Sequence, residues 1–275
     1  MFNISIVTYN TSKTMLLKVI KSIINAEGLN LIYIVDNSDN ENIKNFLPNV
    51  PKIQYTKSPK NGGYGFGHNI AIDLSLKNVN VKYHLVLNPD MNFNHIIFKE
   101  IKKYMDENPI VGNLMPKVLY NDGTVQYLCK LLPTPYDWIG RRFNPITSII
   151  ESRNRYFELR FMDYNSIMEV PYLSGCFMFL RLSSLKKIGN FDENIFMYGE
   201  ETDLCRRLID GGYKNIYFPN VSVFHEFQKG SHKSLRLTFI GIKSAIYYFN
   251  KWGWIIDKKR REINRYTLEY LNTVR

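Results

Sequence analysis

The sequence has 275 residues, of which 45% are hydrophobic and 22% charged, and it contains three cysteines. This length and composition predict one globular domain with a substantial core, and they exclude a disordered, fibrous or disulfide-stapled protein. The net charge of +11 is uneven, since residues 229–275 carry eleven Lys and Arg against three acidic residues; this excludes a protein that binds nucleic acid over its whole surface.

The N-terminus and the apolar runs indicate a cytoplasmic protein. Met1 leads directly into the apolar stretch Ile4–Val7, without the basic and cleavage segments of a secretion signal. The run closest to a membrane span, Thr238–Trp254, is interrupted by two lysines and an asparagine. We therefore expect a soluble protein of a reducing compartment, in which three unpaired cysteines are ordinary.

The first half of the chain alternates between strand and helix patterns. The predicted elements are strands at Ile4–Tyr9, Leu31–Val35, Ile53–Thr56 and Tyr83–Leu87, a helix from Thr14 to Ile24 after a Thr11/Ser12 cap, and a helix after Gly67. This alternation predicts a mostly parallel sheet with helices on both faces. Ligands of such sheets bind beyond the carboxyl ends of the strands.

The second half of the chain is less regular. From about residue 113 the alternation weakens, and we interpret residues 128–168, which include Arg141 and Arg142, as an elaborated loop region. The later predicted elements are a strand at Phe177–Leu180, a helix from Glu200 to about Asp210, a short strand at Ile216–Phe218, another short strand before His225, and a basic tail.

Two acidic residues follow predicted strands. Asp90 ends the run Leu85–Asp90, where a carboxylate can hold Mg²⁺ or Mn²⁺ on a diphosphate, with Asn88 as a weaker neutral ligand. The Asn-Pro-Asp sequence is equally suited to an Asx turn that caps the strand. Asp36 has the same two interpretations: a turn residue, or an acceptor for the ribose or base of a nucleotide.

A glycine-rich segment follows the third predicted strand, with glycines at positions 62, 63, 65 and 67. Glycines allow close approach of a ligand to the backbone, and the start of the next helix offers N–H groups to an anion. The spacing does not match the GxGxxG dinucleotide fingerprint. A flexible loop is the alternative interpretation.

Acidic residues also open the helix predicted from Glu200. Glu200 and Asp203 share one helix face, so Glu201 points elsewhere, and in the crevice it can act as a general base on an acceptor hydroxyl. The alternative is acidic capping with a surface Asp203–Arg207 ion pair. His225, at the end of a predicted strand, is either a structural histidine or a metal ligand.

In this order the motifs resemble bacterial members of glycosyltransferase family 2, especially the rhamnosyltransferase-like enzymes of polysaccharide assembly. The matching motifs are Ser5–Asn10, Val35–Ser38, Asn61–Asn69, Leu87–Asp90, Ser174–Met178, Phe191–Arg207 and His225. The resemblance implies an α/β fold of the GT-A nucleotide-diphospho-sugar transferase type. It also implies a metal-dependent single displacement that inverts the anomeric carbon.

The resemblance assigns roles to individual residues. Asn88-Pro-Asp90 corresponds to the DXD-type metal site, with Asp90 as its remaining acid, and His225 is similar to a late histidine that ligates the metal in some relatives. Glu201 corresponds to the catalytic base, with Glu200 as a second candidate because Glu is one methylene longer than the Asp of relatives. The implied donor-binding residues are Thr8, Asn10, Asp36, Asn61, Gly62, Gly63, Gly67, Asn69, Asn88 and Asp90.

The resemblance also implies substrates and a division of the chain. The expected donor is a dTDP- or UDP-sugar, with dTDP-rhamnose foremost, and the expected acceptor is a saccharide or a lipid-linked sugar. We divide the chain into a catalytic domain of residues 1–228 and a tail of residues 229–275. In the catalytic domain, residues 1–112 form the nucleotide-sugar half and residues 113–228 the acceptor half.

The tail is basic, aromatic and helical in pattern. Its apolar and basic residues are Phe239, Ile242, Ile246, Phe249, Trp252, Trp254 and Lys258–Arg261. Aromatic residues beside cations suit an anionic membrane surface, which would place the protein peripherally on the inner face of the cell membrane. A helix that packs on the core is the alternative.

Two other functions remain open at this point. A nucleotidyltransferase needs a glycine-rich basic loop directly after the first strand, where Thr8–Ser12 has no glycine. A non-catalytic protein that binds sugars or nucleotides has no reason to keep Asp90 and the Glu200–Glu201 pair at the crevice. The sequence does not indicate an oligomeric state.

Overall fold

A nine-stranded sheet forms the centre of the protein, in a computed structural model that describes residues 1–40, 42–140, 146–226 and 235–274. The strands are β1 (Phe2–Thr8), β2 (Leu29–Asp36), β3 (Ile53–Lys57), β4 (Tyr83–Leu87), β5 (Met91–Asn92), β6 (Val111–Leu119), β7 (Cys129–Lys130), β8 (Met168–Glu169), β9 (Tyr172–Leu173), β10 (Phe177–Arg181) and β11 (Lys214–His225). The α-helices are α1 (Lys13–Ile23), α2 (Tyr64–Leu76), α3 (Ile97–Glu107), α4 (Thr147–Phe157), α5 (Leu182–Ile188), α6 (Glu200–Asp210), α7 (Leu235–Trp252) and α8 (Lys258–Thr273).

The sheet has the strand order β3-β2-β1-β4-β10-β6-β11-β5, with β8 paired to β11. Strands β1 to β4 are parallel, and β6 is parallel to β11. Strand β10 runs antiparallel between β4 and β6, so the long strands on both sides of it point the same way. The predicted class, an α/β fold with a mostly parallel sheet, is confirmed.

The regular elements of the first half follow from local sequence. Helix α1 starts after Ser12, whose hydroxyl accepts a hydrogen bond from the Met15 N–H at 3.3 Å, as an N-cap should. Its apolar residues at helical spacing, among them Leu16 and Ile20, are buried. Strand β4 and helix α6 have the bounds that the sequence predicted.

Helix α2 begins at Tyr64 and not after Gly67, which corrects the prediction. Gly67 therefore lies inside the helix, where a Cβ would come within 2.8 Å of the Val7 side chain on β1. The absence of a side chain lets α2 pack directly against the sheet. The glycine-rich segment is thus largely helix rather than loop.

The described part of the region 128–168 contains regular elements where the sequence predicted an elaborated loop. It contains β7, a π-helical turn at Tyr136–Gly140 and helix α4. The buried carboxylate of Asp137 accepts hydrogen bonds from Arg153 on α4 at 2.5 and 2.8 Å, which ties the turn to that helix. Arg141 and Arg142 lie outside the described residues.

The two short strands predicted around residue 220 form one strand, β11. Its pairing with β6 is interrupted between Phe218 and Ser222. Pro219 lies in that interruption, because proline has no N–H to donate to a neighbouring strand. The irregularity allows β11 to reach the same edge of the sheet as β4.

The C-terminal residues pack on the catalytic domain as helices α7 and α8. Arg206 on α6 is 2% exposed and forms a bidentate ion pair with Asp257 at 2.6 and 2.8 Å. Asp203 on α6 accepts hydrogen bonds from Arg207 at 2.7 Å and from the Trp252 indole at 2.8 Å. The Asp203–Arg207 pair, expected as a surface contact in the capping alternative, is therefore buried on its acidic side. Helices α7 and α8 pack on the domain, and a peripheral membrane location stays a prediction.

The domain boundary predicted at residues 228 and 229 lies outside the described residues. Within the described part of the chain, no helix combines the length and apolar character needed to cross a membrane.

Candidate active site

The pairing of β5 with β11 brings two predicted metal ligands together. Met91 lies opposite His225 in this antiparallel pair, and the Glu226 N–H donates to the Asp90 carbonyl at 3.0 Å. As a result, His225 Nε2 lies 3.2 Å from Asp90 Oδ1. The backbone, rather than a flexible side chain, fixes this proximity.

The buried side chain of Gln126 sets the protonation pattern of the His225 ring. Gln126 Nε2 donates to the carbonyls of His225 at 2.9 Å and Leu119 at 3.3 Å. Its Oε1 therefore faces His225 Nδ1, 3.0 Å away, and this ring nitrogen must carry the hydrogen. In the neutral ring, Nε2 then presents its lone pair on the side of Asp90, as a metal-ligating histidine does.

The Asp90–His225 pair fits a divalent cation. Asp90 Oδ1 is buried and has no hydrogen-bond donor among the described residues. Adjacent ligands of an octahedral ion with bonds of about 2.1 Å are about 3 Å apart, close to the 3.2 Å between Oδ1 and Nε2. No group of three His, Cys, Asp or Glu able to hold a metal occurs within the described ranges, so other ligands would come from diphosphate oxygens, water or the neutral Asn88.

Glu201 is half-buried in the first turn of α6 and is held by two donors. The Tyr172 hydroxyl donates to Oε1 at 3.0 Å, and the Gly199 N–H donates to Oε2 at 3.0 Å. Both donors stabilise the charged carboxylate and fix its direction. A carboxylate oriented in this way can accept a proton from a bound hydroxyl.

Glu200, the second candidate base, is in a different environment. It is 4% exposed, and its Oε2 has no hydrogen-bond partner in the described residues. Burial, followed by the nearby charge of Glu201, raises the pKa of Glu200 well above its ordinary value. Burial therefore disfavours the charged form of Glu200 that a base needs, whereas Glu201 has two donors to its carboxylate, so the geometry favours Glu201.

The segment Ser174–Cys176 lies between the metal pair and Glu201. The carbonyl of Cys176 accepts a hydrogen bond from the Asn88 N–H at 3.0 Å, and the carbonyl of Gly175 accepts one from the Tyr64 hydroxyl at 2.5 Å. Burial raises the pKa of the Cys176 thiol to about 12, with further contributions from the charges of Asp90 and Glu201. Both carboxylates lie close to this segment: Asp90 follows Asn88 by two residues, and a Cβ on Gly175 would lie 3.6 Å from the Glu201 Cβ. We call the site formed by Asp90, His225, Glu201 and this segment the crevice.

The predicted donor-binding residues at the ends of β1 and β2 already have protein partners. Asp36 is fully buried; its Oδ1 accepts from the Ser38 N–H at 2.9 Å and the Thr8 hydroxyl at 3.3 Å, and its Oδ2 from the Tyr55 hydroxyl at 3.0 Å. Asn10 is exposed beside them, with a left-handed φ of 51°. Asp36 thus shapes this edge, while Asn10 faces solvent.

Residues of the glycine-rich segment connect it to the loop before α6. Gly63 has φ of 92°, and a Cβ there would lie 1.9 Å from the Phe196 carbonyl oxygen, so only glycine fits. The Asn69 amide donates to the Phe191 carbonyl at 2.9 Å, and its oxygen accepts from the Phe191 N–H at 3.1 Å. The side-chain oxygen of Asn61 accepts a hydrogen bond from the Gly63 N–H at 3.3 Å, and the residue between them, Gly62, is half-buried.

The residues that orient the site were missed by sequence reasoning. Gln126 lies between recognised motifs, and Tyr172 belongs to a strand of two residues, too short to give a pattern. Tyr172 lies two residues before the recognised segment Ser174–Met178, and this closeness in sequence is the one signal that could have indicated a role for Tyr172.

Comparison with known sequences gives a consistent set of relatives. The model of a family described as "Glycosyltransferase like family 2" matches residues 2–241. Rhamnosyltransferase WbbL of Escherichia coli (strain K12) is 26% identical over 202 residues, which cover 70% of this chain and 72% of that protein. The N-acetylglucosaminyl-diphospho-decaprenol L-rhamnosyltransferase of Mycobacterium tuberculosis is 27% identical over 143 residues, 51% of this chain but only 46% of that protein. The low-salt glycan biosynthesis hexosyltransferase Agl10 of Haloferax volcanii is 26% identical over 180 residues, 66% of this chain and 53% of that protein.

Comparison with solved structures identifies the same fold at low identity. The mannosyltransferase PcManGT from Pyrobaculum calidifontis, in complex with GDP-Man and Mn²⁺, superposes with a TM-score of 0.56 at 14% identity, over 84% of this chain and 59% of that one. GalNAc-T7 with UDP, GalNAc and Mn²⁺ superposes with a TM-score of 0.58 at 14% identity, over 82% of this chain and 42% of that one. At such identities the likeness concerns the fold, which is of the GT-A type.

Proposed function

Because this chain belongs to glycosyltransferase-like family 2 and has a GT-A fold, we propose that it is an inverting, metal-dependent transferase of surface polysaccharide synthesis. The donor is a nucleoside-diphosphate hexose and the acceptor a hydroxyl of a saccharide or lipid-linked sugar. The names of two relatives support rhamnose as the hexose. The observation that carries the proposal is the Asp90–His225 pair together with Glu201, both close to the segment Ser174–Cys176.

On the donor side, Asp90 and His225 would hold Mg²⁺ or Mn²⁺, with Asn88 beside them. The bound cation would neutralise charge on the leaving diphosphate. Gln126 keeps the His225 ring in the orientation that ligation needs, through its contact with Nδ1 at 3.0 Å. The Mn²⁺ ions in the solved structures of GalNAc-T7 and PcManGT, which share the GT-A fold, support this assignment.

On the acceptor side, Glu201 accepts the proton of the attacking hydroxyl. The acceptor oxygen then bonds to the anomeric carbon as the bond from that carbon to the diphosphate breaks, and one displacement inverts the configuration. Tyr172 and the Gly199 N–H hold the carboxylate toward the crevice. Burial and the charge of Glu201 raise the pKa of Glu200 beside it, which disfavours a second negative charge in the site.

The nucleotide of the donor, dTDP or UDP, lies along the edge formed by β1, β2 and the glycine-rich segment. Asn10 and Asn61 are the predicted residues at this edge that are exposed. Thr8 and Asp36 are buried at this edge and are joined by a hydrogen bond, which holds the ends of β1 and β2 together. Asn61, Gly62, Gly63, Gly67 and Asn69 shape the wall that joins this edge to the loop before α6.

Transfer assays test the proposal. Purified protein is incubated with dTDP-rhamnose and a panel of UDP-hexoses, with Mn²⁺ or with EDTA, and release of nucleoside diphosphate is measured with and without acceptor. We expect release that requires the metal. Failure of every donor to be bound or hydrolysed would contradict a transferase function.

Two matched variants test the assignment of the base. Glu201→Gln should lower transfer by roughly 10²- to 10⁴-fold, the usual contribution of a general base, while donor binding measured by calorimetry stays unchanged. Glu200→Gln should retain most activity, because the amide imitates the neutral carboxyl form that burial favours. The reverse result would make Glu200 the base.

A further inference from the structure

An apolar strip is exposed along helix α7. Leu235, Phe239 and Ile246 lie on one helix face and are 80%, 64% and 41% exposed. The opposite face of α7, with Ala245 and Phe249, is buried against the domain. The helix is therefore apolar on both its packed face and its outer face.

The loop after α7 extends this strip. The Trp254 indole donates to the Asn250 side chain at 2.8 Å, and its ring lies 5.3 Å from that of Phe249, so Trp254 folds back onto α7. Ile255 and Ile256 follow, 76% and 78% exposed. Single exposed apolar residues are ordinary, but six of them on adjoining segments form a patch that indicates an interaction surface. We call Leu235, Phe239, Ile246, Trp254, Ile255 and Ile256 the apolar strip.

Positive charge flanks the apolar strip. Arg236 and Lys243 lie along one side of α7, and Lys258 and Arg261 follow the loop; all four are exposed. Across the described residues, none of these four has a carboxylate at ion-pair distance. An apolar row with free cations beside it is complementary to an anionic interface with an apolar interior.

Helix α7 is also fixed next to the active site. The Ser244 hydroxyl donates to the Met197 carbonyl at 2.7 Å, and Gly241 faces the Tyr198 ring. Met197 and Tyr198 lead directly into the turn that holds Glu201. A surface that binds the apolar strip therefore lies at a fixed distance from the crevice.

We propose that the apolar strip and its flanking cations dock the protein on an anionic lipid bilayer, with α7 lying in the interfacial plane. The docked orientation brings the crevice to acceptors whose lipid is embedded in that bilayer. The docking itself is independent of the proposed transferase activity, whereas its use for lipid-linked acceptors rests on it.

Vesicle flotation of the full chain tests the docking. At low salt we expect the protein to float with phosphatidylcholine vesicles that contain phosphatidylglycerol, and to remain in solution with phosphatidylcholine alone. The triple variant Phe239→Asn, Ile255→Asn, Ile256→Asn should lower the bound fraction about tenfold or more, because it removes the side chains that insert. The control pair Val79→Asn, Ile96→Asn, whose positions are also exposed but far from the tail in sequence, should bind like the wild type.

Three outcomes would overturn the proposal. The wild type does not float with anionic vesicles, or the triple variant floats equally well. Alternatively, light scattering shows a dimer that the triple variant loses, which would assign the strip to a second copy of the chain. Transfer to a water-soluble acceptor should be unchanged in the triple variant, so loss of docking and failure of the transferase chemistry are distinguishable.

Discussion

At the end of β2, the carboxylate of Asp36 is enclosed by three protein donors, whereas after β4, Asp90 Oδ1 is buried without a donor from the part of the chain that the structure describes. In the sequence both are single aspartates that follow a buried strand. The contrast extends to the rest of the edge, where Thr8 and Asn69 are bonded to protein. In the crevice, Glu200 Oε2 also has no partner among the described residues. Buried polar atoms without partners cost stability, so they mark the region where a ligand is expected to complete the site.

The largest expected effect is the loss of activity at Asp90, which the matched change at Asp36 should not reproduce. Asp90→Asn should lower transfer about 10³-fold, because the cation site loses its one carboxylate, with little change in Tm. Asp36→Asn is the matched control and should act mainly on folding: an amide cannot accept all three hydrogen bonds, and the loss should be about 1–3 kcal/mol of unfolding free energy. Thermal denaturation and transfer assays on both variants check this, and equal loss of Tm in the two would remove the distinction.

Gln126→Met tests the metal side of this comparison through the residue that orients His225. The substitution keeps the side-chain length but removes the group that fixes the His225 tautomer. Metal affinity should fall roughly 10- to 100-fold, as for other groups that orient a ligating histidine. Calorimetric titration with Mn²⁺ measures it, and unchanged affinity would show that His225 does not depend on Gln126.

The sequence predicted some elements of these regions and not others, and the difference depends on whether an element has a local signal. Strand β4 and helix α6 were placed correctly because their apolar periodicity and acidic start are local signals. The Asp90–His225 contact depends on β5, two residues long, and on an irregular β11; neither has a local signature. The glycine-rich segment was assigned to a loop because the close packing of Gly67 on Val7 is a tertiary contact.

Acidic pH should destabilise the part of the sheet formed by β1 and β4, where two histidines are buried. His84 is buried between Ser5 and Ser75, at 2.8 Å from each hydroxyl, and burial lowers its pKa to about 3. Burial also lowers the pKa of His68 well below its ordinary value, and its ring contacts the same Ser5 hydroxyl at 2.6 Å.

Because the unfolded chain binds these protons near pH 6.5 and the folded chain does not, stability is full above that pH and falls as the pH decreases. His84 alone should contribute a loss of about 2 kcal/mol between pH 7 and pH 5. Denaturant unfolding at both pH values measures this loss. His84→Gln should flatten the dependence, and a slope equal to that of the wild type would contradict the assignment.

Tyr172→Phe should have the smallest effect. Without its hydroxyl, Glu201 keeps one of its two donors, and we expect kcat to fall roughly tenfold. Steady-state transfer kinetics measure this fall, and an unchanged kcat would contradict the role of Tyr172 in holding Glu201. Tyr64→Phe is the matched control: its hydroxyl binds the Gly175 carbonyl and not Glu201, so its loss should lower kcat less.

The buried pair of Arg206 with Asp257 has a consequence for how the protein is made. Residue 257 is synthesised after the whole sheet and after α7, so the guanidinium of Arg206 gains this counter-ion only when the chain has been extended past α7. An unpaired charge cannot stay buried at low cost. The helix that carries Glu201 is therefore fully stabilised only after every strand of the sheet has been synthesised.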